Sequence, residues 1–166
     1  MPIIDSILME LDQEAATTRR VLERVPEASL GWKPHAKSMS LGQLAMHVAT
    51  TPGGVAEIVR NDTFEIPGFG QRPEATSKAE LLTALDNAIA KAKGILREMD
   101  DRTLTATWTL KRGNQVVVSI PRVGVIRSIL LNHWYHHRGQ LSVYLRLLDV
   151  PVPAIYGPSA DENPFE

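Results

Sequence analysis

The sequence predicts an all-α fold, a four-helix bundle with a short β-hairpin excursion between helices 3 and 4. Two observations support this prediction. Apolar residues recur three or four positions apart in four long segments, which is the spacing of one helix face. One segment rich in Thr and Val, TATWTLKRGNQVVVSI, instead has a Gly-Asn pair near its centre, as a β-hairpin does. Four amphipathic helices of this length bury their apolar faces against one another in a bundle.

The first predicted helix runs from about residue 3 to residue 25, and Pro26 then breaks the pattern. Its apolar stripe consists of Ile4, Leu8, Leu11, Ala15, Thr18, Leu22 and Val25.

The second helix is predicted to begin at Ser40, which forms a capping box with Gln43. The sequence Pro52-Gly53-Gly54 is expected to kink or weaken this helix. Its stripe consists of Leu44, His47 or Val48, Thr51, Val55 and Ile58.

Residues 61–76 contain two prolines and two glycines and are predicted to form a loop over one end of the bundle. Ser77 and Glu80 form a second predicted capping box, which begins the third helix. Its stripe is the most regular in the chain and consists of Leu82, Leu85, Ile89, Ala92, Leu96 and Met99.

The predicted hairpin pairs roughly residues 105–109 with 115–119, around Arg112-Gly113-Asn114. Pro121 is expected to start the last helix, at a position that proline tolerates. That helix is predicted to reach about Leu148, because the tail that follows is rich in proline.

Composition narrows the class of protein. A length of 166 residues fits one domain, residues 1–166, that buries its core without help from a metal. A net charge of −1 argues against a nucleic-acid partner. The absence of cysteine excludes disulfides and thiolate ligands. No apolar run approaches a membrane span, and the N-terminus lacks the features of a signal peptide. We therefore expect a cytoplasmic protein without a membrane partner.

Three of the five histidines are candidate metal ligands. His133 and His137 are four residues apart on the apolar stripe of the last helix, so their imidazoles share one face. His136 is rotated from His137 by about 100°. His47 lies on or beside the inward face of the second helix and can supply a third nitrogen. Three imidazoles leave positions for water or substrate, as in a catalytic metal site.

The spacing alone leaves a second interpretation open, because histidines on an apolar stripe are often core residues with satisfied hydrogen bonds, and an isolated H-x-x-x-H arises by chance. The cost of burying two adjacent imidazoles without partners favours a shared cation.

Two histidine-bearing segments resemble those of a known family. The segments N-H-W-Y-H-H-R-G-Q-L (132–141) and S-L-G-Q-L-A-M-H-V-A (40–49) resemble the last-helix and second-helix signatures of the DinB/YfiT-like family. The tail V-P-V-P-A-I-Y-G-P-S-A-D-E (150–162) is also similar. The resemblance implies a four-helix bundle, frequently a homodimer, that holds a divalent metal through His47, His133 and His137.

Members of this family include mycothiol-dependent maleylpyruvate isomerase and bacillithiol transferases, so the resemblance implies thiol chemistry at a metal. Our leading hypothesis is a metal-dependent transferase that uses a low-molecular-weight thiol and acts on a small-molecule substrate, with zinc or nickel as the metal. The alternatives are a hydrolase that uses metal-activated water and a non-catalytic metal-binding stress-response protein. The histidine pattern does not choose among them.

Other polar residues near the histidines are weaker candidates. Gln140 lies three residues after His137 and can hydrogen-bond a ligand or orient an imidazole, or it is simply a polar residue on the helix face. Four arginines near the hairpin and in the last helix are expected to be solvated charges or charges between helices. They are Arg112, Arg122, Arg127 and Arg138. The aromatic residues are expected in the core, at one end of the bundle or at a dimer interface, and His35 in an exposed loop. No serine-nucleophile elbow or nucleotide-binding loop is present.

Overall fold

The computed structural model describes residues 1–66 and 72–165 and confirms the predicted mostly helical fold. The helices are α1 (Ile3–Glu23), α2 (Leu41–Arg60), α3 (Lys78–Arg97), α4 (Asp101–Thr105), α5 (Arg122–Val125) and α6 (His133–Leu147). A π-helical segment, Ile126–Asn132, joins α5 to α6, so the three form one continuous last helix. The strands are β1 (Thr63–Glu65), β2 (Thr107–Arg112) and β3 (Gln115–Pro121). Of the predicted 61–76 loop, residues 67–71 lie outside the described residues.

The four long helices pack around one apolar core, with α2 in contact with α3 and with the last helix, and α1 against α3. Among the described residues, no helix is both long enough and apolar enough to cross a membrane.

The two predicted capping boxes have different outcomes. At α2 both hydrogen bonds form, since Gln43 N donates to Ser40 Oγ and Ser40 N donates to Gln43 Oε1, each at 3.1 Å. At α3 only half of the box forms. Glu80 N donates to Ser77 Oγ, but the Glu80 carboxylate accepts from Thr76 instead of reaching back to the Ser77 backbone. Both helices nevertheless begin where the sequence predicts.

Helix α2 continues through Pro52. Proline has no N–H to donate to the carbonyl of Val48, four residues before it. The Trp134 indole Nε1 donates to that carbonyl from the last helix, at 2.8 Å. Gly53 then lets α2 approach α3 closely, because a Cβ atom there would lie 2.9 Å from Ala88 Cα. The segment Pro52-Gly53-Gly54, which was expected to kink or weaken α2, therefore lies in a tightly packed contact between α2 and α3.

The predicted hairpin is confirmed, and its strands extend further than expected. Strands β2 and β3 are antiparallel, with an irregularity between Leu110 and Lys111, and Gly113 adopts a φ of +56° in the turn. Thr105 belongs to the short helix α4 and not to the strand. Strand β1, within the segment predicted as a loop, pairs parallel with β2 and makes a three-stranded sheet.

The last helix differs from its prediction in register. It was expected to be regular, with His133 and His137 on the same stripe as the core residues. The π-helical segment shifts the inward face by about one residue, because each π turn takes up an extra residue. The core face of α6 therefore consists of Trp134, Arg138, Leu141 and Leu145, and both histidines lie half-buried at its edge.

Candidate metal centre

Three histidine side chains meet where α2 packs against the start of α6. His47 comes from α2, and His133 and His137 come from the first turns of α6. One nitrogen from each of the three rings lies within 4.8 Å of the other two. The Nε2 atoms of His47 and His133 are 3.2 Å apart. The structure thus brings together the three histidines that the sequence singled out.

The geometry fits a divalent metal. Bonds of about 2.0–2.1 Å in a tetrahedral site place two ligand nitrogens about 3.3 Å apart. The His47–His133 separation of 3.2 Å is close to that value. The other nitrogen pairs are at most 4.8 Å apart, so small side-chain rotations would bring them to the same separation. Three imidazole nitrogens leave at least one coordination position for another ligand.

All three imidazoles are held in the neutral form that binds a metal. Burial, with smaller contributions from the neighbouring His137, His133 and Arg72, lowers the pKa of His47 to about 4. Burial is also the main reason that the pKa values of His133 and His137 are lowered. A site whose ligands resist protonation binds cations without first displacing protons.

Gln140 orients one of the rings. Its Oε1 atom lies 2.7 Å from His137 Nδ1. Since an amide oxygen only accepts, Nδ1 carries the proton, and the nitrogen left to bind a metal is Nε2. This direct contact supports the prediction that Gln140 orients the His137 imidazole.

A side-chain hydrogen bond joins the two helices at this point. The Trp134 indole donates to the Val48 carbonyl, and so links the residue after His133 to the residue after His47. Within α2, Thr51 Oγ1 donates to the His47 carbonyl, at 2.6 Å. The relative placement of the two histidine-bearing helices is therefore set by a buried hydrogen bond as well as by apolar packing.

The sequence reasoning missed the residues around a cavity beside His47. This cavity has a volume of about 260 Å³ and is lined by Gln43, His47, Thr50, Arg72 and Pro73. Gln43 and Thr50 lie four residues before and three residues after His47, so helical spacing could have found them. Arg72 lies in an irregular segment, where no periodicity points to it.

None of the four arginines considered from the sequence lines this cavity. Arg138 is buried and forms an ion pair with Glu14 at 2.6 Å, so it is an interhelix charge and not a solvated one. Arg122 is also buried and donates to the Val59 carbonyl at 2.7 Å. Arg127 pairs with Glu10, and Arg112 is exposed on the hairpin.

The remaining histidines and aromatic residues lie outside the cluster. His35 is exposed, as predicted, and His136, which its helical phase excluded from the His133–His137 pair, is exposed as well. Trp134 and Trp108 are buried in the core. Trp32 packs edge-to-face on Tyr144, with ring centroids 5.6 Å apart.

The fold and the site together define a class of protein, a helical bundle in which the second and last long helices bring three histidines into contact. Comparison with known proteins agrees with this class. A family model described as the DinB superfamily matches residues 10–141. The chain therefore belongs to the DinB superfamily.

Individual relatives are similar over nearly their whole lengths. The chain is 29% identical over 164 residues to the uncharacterized protein YrdA of Bacillus subtilis (strain 168), covering 96% of this chain and 91% of the relative. A DinB-like protein from Bacillus cereus ATCC 10987 superposes with a TM-score of 0.73 at 22% identity, covering 93% of this chain and 98% of that one. The DinB-like protein YjoA of Bacillus subtilis has a TM-score of 0.68 at 17% identity, covering 90% and 96%. At these identities the two structures support the fold alone.

Proposed function

We propose that His47, His133 and His137 bind a divalent metal ion, and that the protein is a metal-dependent transferase that uses a low-molecular-weight thiol. The observation that carries the proposal is the convergence of three half-buried imidazole nitrogens within 4.8 Å of one another. Their lowered pKa values and the oriented His137 ring support metal binding. Imidazole ligands without thiolates or carboxylates are compatible with zinc or nickel.

The thiol part of the proposal is supported by the family and by the chemistry of an open site. A divalent metal with a free coordination position lowers the pKa of a bound thiol, so that thiolate is available at neutral pH. The three histidines hold the centre, and Gln140 keeps the His137 nitrogen directed towards it. In the reaction the thiol loses its proton to solvent and its sulfur forms a bond to an electrophilic carbon. The bond from that carbon to the displaced group breaks, and its electron pair leaves with the group, so that a halide departs as the free anion.

The proposal is tested with purified, metal-loaded protein, a low-molecular-weight thiol and an aryl halide as the electrophile. We expect thioether formation that is abolished in His133→Ala and retained in His136→Ala, which removes an exposed histidine outside the cluster. Equal activity in both variants would contradict the proposal. Ester hydrolysis without thiol would indicate the hydrolase instead, and metal binding without turnover across both assays would indicate a non-catalytic metal-binding protein.

We also propose that the protein forms a homodimer, as the resemblance to the family implies. The last helix carries exposed apolar side chains that support an interface there, Ile129, Val143 and Leu147. Light scattering coupled to gel filtration measures the mass in solution. A dimer mass that Val143→Glu reduces to that of a monomer is expected, and a monomeric wild-type protein would contradict it.

A further inference from the structure

The cavity beside the histidine cluster has one cationic residue in its lining. Of the residues that line it, His47 belongs to the cluster, Gln43 and Thr50 are polar, and Arg72 carries a positive charge. No acidic residue is among the described residues that line it. A volume of about 260 Å³ is just below the range of about 300–1,000 Å³ that is typical of small-molecule sites. A small ligand with an anionic group suits such a space.

Arg72 is available to bind an anion. Within residues 1–66 and 72–165, no carboxylate lies within 4.0 Å of its guanidinium. Its one side-chain hydrogen bond to these residues runs from Nη1 to the Met39 sulfur, at 2.7 Å. A thioether sulfur is a weak acceptor, which a carboxylate readily replaces. Glu74 lies nearby, but its carboxylate accepts a hydrogen bond from Ser40 Oγ.

The cavity connects Arg72 to the histidine cluster, because Arg72 and His47 both line it. A single small ligand in this space can therefore contact the guanidinium and reach the three-histidine centre. The buried Arg138 is paired with the buried Glu14 carboxylate, whereas Arg72 lines the cavity.

We propose that Arg72 binds the carboxylate of a small substrate whose reacting atom lies at the three-histidine centre. Gln43 is placed to donate its amide N–H to the same carboxylate, because its Oε1 is already occupied by the Ser40 N–H. The inference rests on the proposed metal site and adds a substrate class, small carboxylates, together with a residue that determines specificity. The carboxylate belongs either to the thiol or to the second reactant, and both sources use the same guanidinium.

The test is calorimetric titration of zinc-loaded protein with mercaptoacetate and with 2-mercaptoethanol, which share a thiol and differ in the carboxylate. We expect mercaptoacetate to bind more tightly and Arg72→Gln to remove about ten- to hundredfold of that preference. Arg72→Lys should retain part of it. Arg112→Gln is the matched control, since it removes the charge of an exposed arginine on the hairpin, outside the cavity lining.

A second titration identifies which reactant carries the carboxylate. Succinate is added to protein already saturated with 2-mercaptoethanol, in the wild type and in Arg72→Gln. Binding that depends on Arg72 in either titration supports the proposal and assigns the carboxylate to the thiol or to the second reactant. Equal affinities of the wild type and Arg72→Gln in both titrations overturn it.

The zinc titration that precedes these measurements separates the two proposals. If zinc does not bind, the metal site fails. Succinate is then titrated into the metal-free protein, where affinity lost in Arg72→Gln still supports the anion site and equal affinity overturns it. Circular dichroism of Arg72→Gln shows whether the variant keeps the fold, as expected for an exposed side chain.

Discussion

The state of the three imidazoles is the central feature at the scale of single residues. An isolated histidine has a pKa near 6.5. Burial, together with the neighbouring histidines and Arg72, lowers the pKa of His47 to about 4, and burial is the main cause that lowers the pKa values of His133 and His137. Without a metal, each of these rings is a group that the folded protein keeps neutral at pH values where the unfolded chain would protonate it.

Stability of the metal-free protein should therefore fall as the pH is lowered from about 6.5 to about 4. In this window the unfolded chain binds more protons at His47 than the folded protein does, so acidification favours unfolding. Urea denaturation at pH 7 and pH 4.5 measures the change in the free energy of unfolding. His47→Gln should make the loss smaller, and His35→Gln, an exposed control, should leave it unchanged. An undiminished loss in His47→Gln would contradict this assignment.

Gln140 should matter for metal affinity more than for folding. Because its Oε1 holds the proton on His137 Nδ1, Gln140→Leu lets the ring rotate or change tautomer. Loss of such a partner typically weakens metal binding by about 10–100-fold. Competition with a chelating dye measures the affinity, and Gln13→Leu on the exposed side of α1 is the matched control. Equal affinities in the two variants would show that the contact does not orient the ring.

At the scale of elements, the contact between α2 and the last helix determines the site. Pro52 leaves the Val48 carbonyl without its helical donor, and Trp134 supplies one from α6. Val48 directly follows His47, and Trp134 directly follows His133. The carbonyl that Pro52 leaves free in α2 is thus the point at which the last helix is attached, beside the histidines.

A double-mutant cycle tests this attachment. Trp134→Phe removes the donor and should lower the free energy of unfolding by about 1–3 kcal/mol for the lost hydrogen bond, in addition to the change in packing. In a Pro52→Ala background the alanine N–H can donate to Val48 O, so the same substitution should be less costly. The free energies come from urea denaturation. Equal costs in both backgrounds would mean that Trp134 acts through packing alone.

The sequence predicted the long helices and the hairpin because each has a local signal, such as the Ser40–Gln43 capping box or the turn at Gly113. It did not predict the π-helical segment, since the extra residue is accommodated by tertiary packing and no local pattern requires it. Strand β1 was missed for a similar reason, because three residues within a loop become a strand only by pairing with β2. The histidines were found by their helical spacing. Arg72 was not found, because it lies in an irregular segment that only the tertiary fold brings beside His47.

At the scale of the whole molecule, a buried ionic cluster ties the C-terminal segment to the bundle. Arg138 on α6 pairs with Glu14 on α1, and the Tyr156 hydroxyl, in the segment after α6, accepts from Arg138 at 2.5 Å and donates to Glu14 at 2.9 Å. The Arg138 guanidinium also lies 5.2 Å from the ring centroid of Tyr135. The sequence could not indicate this cluster, because its members are distant along the chain.

Breaking this cluster should be far more destabilising than breaking a surface pair. Arg138→Met leaves the buried Glu14 carboxylate without its cation, which typically costs about 3–5 kcal/mol. Arg127→Met removes the matched partially exposed pair with Glu10 and should cost about 0–1 kcal/mol. Thermal and urea denaturation of the two variants give the comparison. Similar losses would show that the buried pair does not stabilise the bundle more than a surface pair does.

The most direct test of the account is elemental analysis of the protein prepared without a histidine tag. We predict about one divalent metal ion per chain, as a single three-imidazole site implies. The metal should be absent from His133→Ala and from His47→Ala and present in His136→Ala, which removes an exposed imidazole that is not one of the three that converge. A wild-type protein that binds no metal after incubation with zinc or nickel, or a metal content unchanged in His133→Ala, would contradict the three-histidine centre.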